Sequence, residues 1–154
     1  MKRIILIFSL FVISYSCKAQ KNTINSSEST INGIDFLGNN VALVIQHLGQ
    51  PNTIEDYFFE MDDVMSQKYN YNGLLFYIVN SKVVSFEITA NNYAFTSNNI
   101  KVGDNISTLQ SIYPLSFANK GTDWLGLPFD DIDMFSTIFF NSNNHITKIR
   151  LGSY

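Results

Sequence analysis

The 154-residue chain predicts an α+β domain: two repeated helix-plus-antiparallel-hairpin units sharing one layered domain, with short helices packed on an antiparallel sheet. Three observations predict it. A short apolar helix carries its own stop signal at "NVALVIQHLGQP", residues 40 to 51. Paired runs of strand-forming residues flank Asn-rich turns. Both patterns return about 65 residues later, the mark of an internal repeat.

The chain opens with Lys2 and Arg3 ahead of an apolar run from Ile4 to Ile13. That run is too short to span a bilayer, and residues 1 to 16 read as a secretory signal. Two cleavage readings stay open. In one, Ser14-Tyr15-Ser16-Cys17 is a loose lipobox and Cys17, the single cysteine, becomes the lipidated first residue. In the other, signal peptidase cuts before Gln20. Residues 17 to 33 are polar and read as a flexible tether, leaving 34 to 154 as one globular domain of two units, 34 to 90 and 98 to 152.

Within the first unit, Val41, Val44, Ile45 and Leu48 fall at i, i+3, i+4 and i+7, one face of a helix. Asn39 or Asn40 caps it, Gly49 supplies a left-handed exit, and Pro51 forbids continuation. The second unit, "VGDNISTLQSIYP", repeats the plan with Asp104 or Asn105 as cap, Ile106, Leu109 and Tyr113 as face, and Pro114 as stop. "LLFYIVNSKVVSFEI" (74 to 88) and "STIFFNSNNHITKIRL" (136 to 151) each read as strand, turn, strand. The first unit has an extra strand in "KYNYNG" (68 to 73).

The helix with its Leu48-Gly49-Gln50-Pro51 ending, led by Gly38 and followed by strands through Lys82 and Val83, resembles the β-lactamase inhibitor protein-like fold. That group includes small outer-membrane lipoproteins of the barrel-assembly machinery. The resemblance implies a non-enzymatic, protein-binding role in the cell envelope.

Charge and composition exclude several classes. Without residues 1 to 16 the chain keeps 8 basic against 13 acidic residues, a net charge of −5, which gives little reason to hold nucleic acid. His47 and His145 are the only histidines and have no ligand-spaced partners, so neither a metal nor another cofactor is expected. No serine sits in a nucleophile elbow. The acidic segments lack the glycine-turned spacing of a calcium loop.

What remains is two acidic, aromatic loops: "EDYFFEMDD" (55 to 63) and "DWLGLPFDDID" (123 to 133). Their bland reading is a solvated loop with its aromatics tucked into the core. Their functional reading is a surface for another, possibly basic, protein, formed by Tyr57, Phe58, Asp62, Asp63, Trp124, Asp130 and Asp131, since buried aromatics anchor interfaces and carboxylates steer cations. The sequence therefore predicts an exported module, anchored to a membrane through Cys17 on the periplasmic side of an outer membrane, of inhibitor, immunity or assembly type. A small-ligand groove and a carboxylate hydrolase are the alternatives.

Overall fold

The computed structural model describes residues 22 to 59 and 63 to 152. Seven strands form one antiparallel sheet: β3 (Thr53–Phe59), β4 (Val64–Asn70), β5 (Leu74–Val79), β6 (Lys82–Ile88), β7 (Trp124–Pro128), β8 (Phe135–Phe140) and β9 (Ile146–Gly152). Their order is β3-β4-β5-β6-β9-β8-β7. A small ribbon of β1 (Thr30–Ile31) and β2 (Ile34–Asp35), helix α1 (Val41–Leu48), a five-residue helix α2 (Pro114–Ala118) and two 3-10 turns complete the described elements.

Local chemistry accounts for the regular parts. Asn40 caps α1 by accepting from the Ala42 amide at 2.9 Å, and Gly49 leaves the helix at φ 79°. The β5–β6 hairpin turns on Asn80 and Ser81, both at positive φ (49° and 61°), the pair that a tight two-residue turn requires. Gly73, at φ 92°, closes the β4–β5 turn where an added Cβ would overlap that of Ala90.

Three expectations are corrected here. The fold is not a pair of helix-plus-hairpin units: four strands precede the β6–β9 junction in the sheet order and three follow it. The supposed second helix is a 3-10 turn, Ile106–Leu109, and α2 begins at Pro114, where a stop was expected. Proline suits that position, because the first helical residue needs no amide donor. Neither acidic segment is a loop throughout its described residues. Thr53–Phe59 and Trp124–Pro128 are strands, because Thr, Ile, Tyr, Phe, Trp and Leu favour a pleated, half-buried surface more than the interspersed carboxylates oppose it.

The amino-terminal residues also differ from a tether. From Asn22 onward the chain is packed into the domain: Ile24 and Ile31 are 1 % exposed and belong to the main core. Asn25 and Glu28 form a reciprocal capping box over Ser26–Glu28, and Ile24 donates its amide to Pro128 O at 3.0 Å. Residues 1 to 21, Cys17 among them, lie outside the described residues.

The two faces of the sheet have different fates. In register, Phe76 faces Phe86, Phe86 faces Leu151, Leu151 faces Ser136 and Ser136 faces Leu127, so these side chains share one face. That face is covered by Phe36, Val44, Ile106, Leu109 and Tyr113, which join its strand residues in one core. The other face carries Tyr57, Lys68, Tyr77, Glu87, Arg150, Thr137 and Gly126. Tyr77 is only 8 % exposed yet stands outside the core, shielded by its neighbours on the sheet.

Candidate functional site

The residues proposed from sequence do not converge. Tyr57 and Phe58 lie on β3 and Asp63 at the start of the hairpin's return, whereas Trp124, Asp130 and Asp131 belong to β7 and the loop after it. β3 and β7 are the opposite edges of the sheet, six strand spacings apart, or about 29 Å. Asp62 lies outside the described residues.

The β7 end is occupied by the protein itself. Asp131 accepts from the Ser26 amide at 2.9 Å and from its hydroxyl at 2.5 Å, and Asp130 accepts from Asn25 Nδ2 at 3.3 Å. Chiefly through the Ser26 hydroxyl, these bonds hold the Asp131 carboxyl below the ordinary carboxylate range. Trp124 is 45 % exposed, but its indole lies so close over Gly121 that a Cβ there would collide with it. Asp130 and Asp131 therefore pin the amino-terminal segment to the sheet. A role in fastening residues 23 to 26 could not be read from the sequence, since it depends on a contact across more than a hundred positions.

The uncovered sheet face is largely self-satisfied. Tyr57, Phe59 and Tyr77 meet as an aromatic trio with centroids 5.0 to 5.5 Å apart. Lys68 sits 4.0 Å above the Tyr57 ring and Lys148 4.5 Å above Phe139. Arg150 pairs with Glu87 at 3.6 Å. Burial, and next the Glu87 carboxylate, push the Tyr77 phenol up to about 12, with Arg150 opposing. Because the folded value exceeds the unfolded 10.0, the stability tied to this group is complete below pH 10 and is lost as pH rises through 12. Phenolate absorbance should show one tyrosine ionising last, and Tyr77→Phe should remove that titration and flatten the loss of stability between pH 10 and 12.

The β3–β4 hairpin is the unsatisfied part. The core reaches Tyr69 and stops there; beyond it, on the same face, Ile54 is 50 % exposed, Phe58 45 % and Met65 61 %. Phe58 and Met65 are direct cross-strand neighbours and form one apolar pair, while Ile54 stands on the same face beyond the Asp56/Gln67 pair. Beside it an open groove of about 290 Å³ runs between the start of α1 and β4, lined by Val41, Asp56, Met65, Gln67 and Tyr69. Asp56 lies within this face, Glu55 is exposed on the other face of the same strand, and Asp63 lies at the start of the return. Phe58 was foreseen as part of this surface. Met65 was missed because only the strand register places it beside Phe58, and Ile54 because only the period-two face of β3 aligns it with Phe58.

Among the described residues, no group of three or more His, Cys, Asp or Glu side chains gathers to hold a metal. His47 packs edge-on against Phe36, and His145 Nδ1 lies 2.9 Å from Gly103 O, so both have structural contacts. The groove falls at the small end of ligand pockets and is open to solvent.

Neither a protein-family model nor a curated protein sequence matches the chain. Solved structures share its fold. An extracellular protein containing a SCP domain from Bacillus anthracis superposes with a TM-score of 0.59 at 13 % identity, over 88 % of this chain and 49 % of its own. A cysteine-rich secretory protein from Staphylococcus aureus does so at 0.52 and 9 %, over 84 % and 46 %. This chain thus spans about half the length of either. The likeness corrects the resemblance to the β-lactamase inhibitor protein-like fold: a capped helix ending in Leu-Gly-x-Pro is a general way to stop a helix before a strand, and it does not specify one fold. By shape, this chain is similar to about half of two secreted, SCP-type proteins.

Proposed function

We propose that this chain is an exported, non-enzymatic protein-binding module whose partner seats on the β3–β4 hairpin. The observation that carries the reading is the exposed pair Phe58 and Met65, joined on the same face by Ile54 beyond Asp56, all about half exposed outside the core's limit at Tyr69. Monomeric surfaces seldom leave such side chains together, and aromatics of this kind anchor interfaces. Glu55, Asp56 and Asp63 around them favour a basic partner. Trp124, at the far edge, belongs to a separate surface in this reading.

Export is supported by the basic and apolar leader of residues 1 to 16 and by the extracellular origin of the Bacillus anthracis protein. The same reading takes Cys17 as the point of a lipid anchor that holds the domain on the periplasmic side of an outer membrane, in an inhibitor, immunity or assembly role.

The test compares the full chain with its Phe58→Ala/Met65→Ala variant as bait for envelope extract at low and high salt. A stoichiometric partner whose capture falls at least tenfold in the variant, and which weakens with salt, is the expected result. Equal capture by both forms overturns the hairpin as the site. Membrane fractionation of Cys17→Ala checks the anchor: an unchanged distribution removes it.

A further inference from the structure

The two edges of the sheet are treated differently. At β7, Pro128 has no amide to offer, its carbonyl accepts from Ile24, and the Trp124 carbonyl accepts from Gly121 at 2.8 Å. The amino-terminal segment then crosses the end of the strand at Phe129. This edge is closed by the means proteins use against stray strand pairing. At β3 neither a proline nor a covering segment is present, and its charges, Glu55 and Asp56, are the only edge protection it carries among the described residues. Its seven residues pair with β4 without a bulge from Thr53↔Asn70 to Phe59↔Val64, and it holds no proline, glycine or lysine. Among the described residues, no hydrogen bond beyond the β3–β4 ladder reaches Thr53–Phe59.

We infer that β3 is a docking edge which takes an extended, basic segment of another protein as an eighth strand. The inference rests on the protein-binding reading above and names how the partner is held: alternate backbone amides and carbonyls of β3 complete a ladder, and side chains supply selectivity.

Charge chooses the occupant. Glu55 and Asp56 are adjacent on β3, both exposed, and among the described residues neither forms an ion pair. Lys68, directly opposite Glu55 in β4, lies over the Tyr57 ring instead. A second copy pairing antiparallel through the middle of β3 would bring these carboxylates face to face, which is destabilising. A strand with two consecutive basic residues meets them on both faces at once. Asp56 also lines the groove, so the basic residue opposite it has a channel beside α1 for its aliphatic stem. Ile54 and Phe58 flank Asp56 on that same face, and they ask for apolar residues at the corresponding partner positions. Read antiparallel to β3, the partner pattern is apolar, any, basic, basic, apolar.

The probe is the capped heptapeptide Thr-Val-Thr-Lys-Lys-Val-Thr, added to the full-length chain, with amide hydrogen exchange and NMR shifts as readout. The expected result is at least tenfold slower exchange at alternate residues of Thr53–Phe59. Binding should be at least tenfold weaker for the same peptide with N-methylated lysines and for the Glu55→Lys/Asp56→Lys chain. Both substituted residues are exposed, so an unchanged melting curve verifies that this variant folds. Protection at the open face or around Trp124 overturns edge docking while leaving a protein-binding role intact. So does absence of binding at millimolar peptide when the envelope partner is still captured through Phe58 and Met65; loss of both results removes the functional reading too. Protection of β3 in the unliganded chain that grows with protein concentration assigns the edge to a second copy and overturns the proposed occupant.

Discussion

Replacing Phe76 by alanine should destabilise the domain by about 3–5 kcal/mol, the usual cost of truncating a buried phenylalanine. Phe76 is fully buried in β5, and its ring meets Phe36 at 5.3 Å, Tyr71 at 6.0 Å and Phe86 at 6.3 Å, all in edge-on geometry. It therefore ties the segment before α1 to two neighbouring strands. Deleting it opens a cavity that three stiff rings cannot fill. Denaturant unfolding followed by fluorescence measures the effect, and Phe58→Ala is the matched control. Because Phe58 is 45 % exposed, its loss should change stability by less than about 1 kcal/mol. Equal effects at the two positions would mean that the core boundary drawn at Tyr69 is misplaced.

A chain beginning at residue 34 should lose about 4–8 kcal/mol relative to the full chain and be largely unfolded near body temperature. Two buried isoleucines, Ile24 and Ile31, account for most of it at about 1.5–3 kcal/mol each. The rest comes from uncovering Phe129 and breaking the bonds of Asp130 and Asp131 to residues 23 to 26. Net stabilities of such domains are only about 5–15 kcal/mol, so this loss decides whether the domain folds. Circular dichroism melts of chains starting at 22 and at 34 test it. Similar melting temperatures would restore the tether reading for residues 22 to 33.

The failure of that tether reading has a physical cause. Residues 18 to 33 contain few apolar groups, and composition alone assigns such a stretch to solvent. Two isoleucines at the right places were enough to dock residues 22 to 33, because Ile24 and Ile31 join the main core while Asn25, Ser26 and Glu28 satisfy their own backbone. Nothing local in the sequence announces a contact between Ser26 and Asp131. The same limit applied to the acidic aromatic segments. Tyr57 and Trp124 were singled out for their aromatic rings, yet their flanking carboxylates concealed the period-two pattern of two edge strands, and equivalent places in two segments became opposite ends of one sheet.

Some features of this protein are local and were therefore legible in the chain itself. The cap at Asn40, the stop at Gly49 and the tight turn at Asn80-Ser81 depend on residues within a few positions of one another. So do the alternating strands from Leu74 to Ile88. Other features needed the packed whole. That β6 pairs with β9 and sends β3 and β7 to the two edges, that the amino-terminal residues close one edge and not the other, and that Ile54, Phe58 and Met65 stand outside the core all follow from long-range strand register. Register is chosen by the burial of an entire sheet face at once. No short stretch of sequence carries that information, and the candidate docking edge exists only because of it.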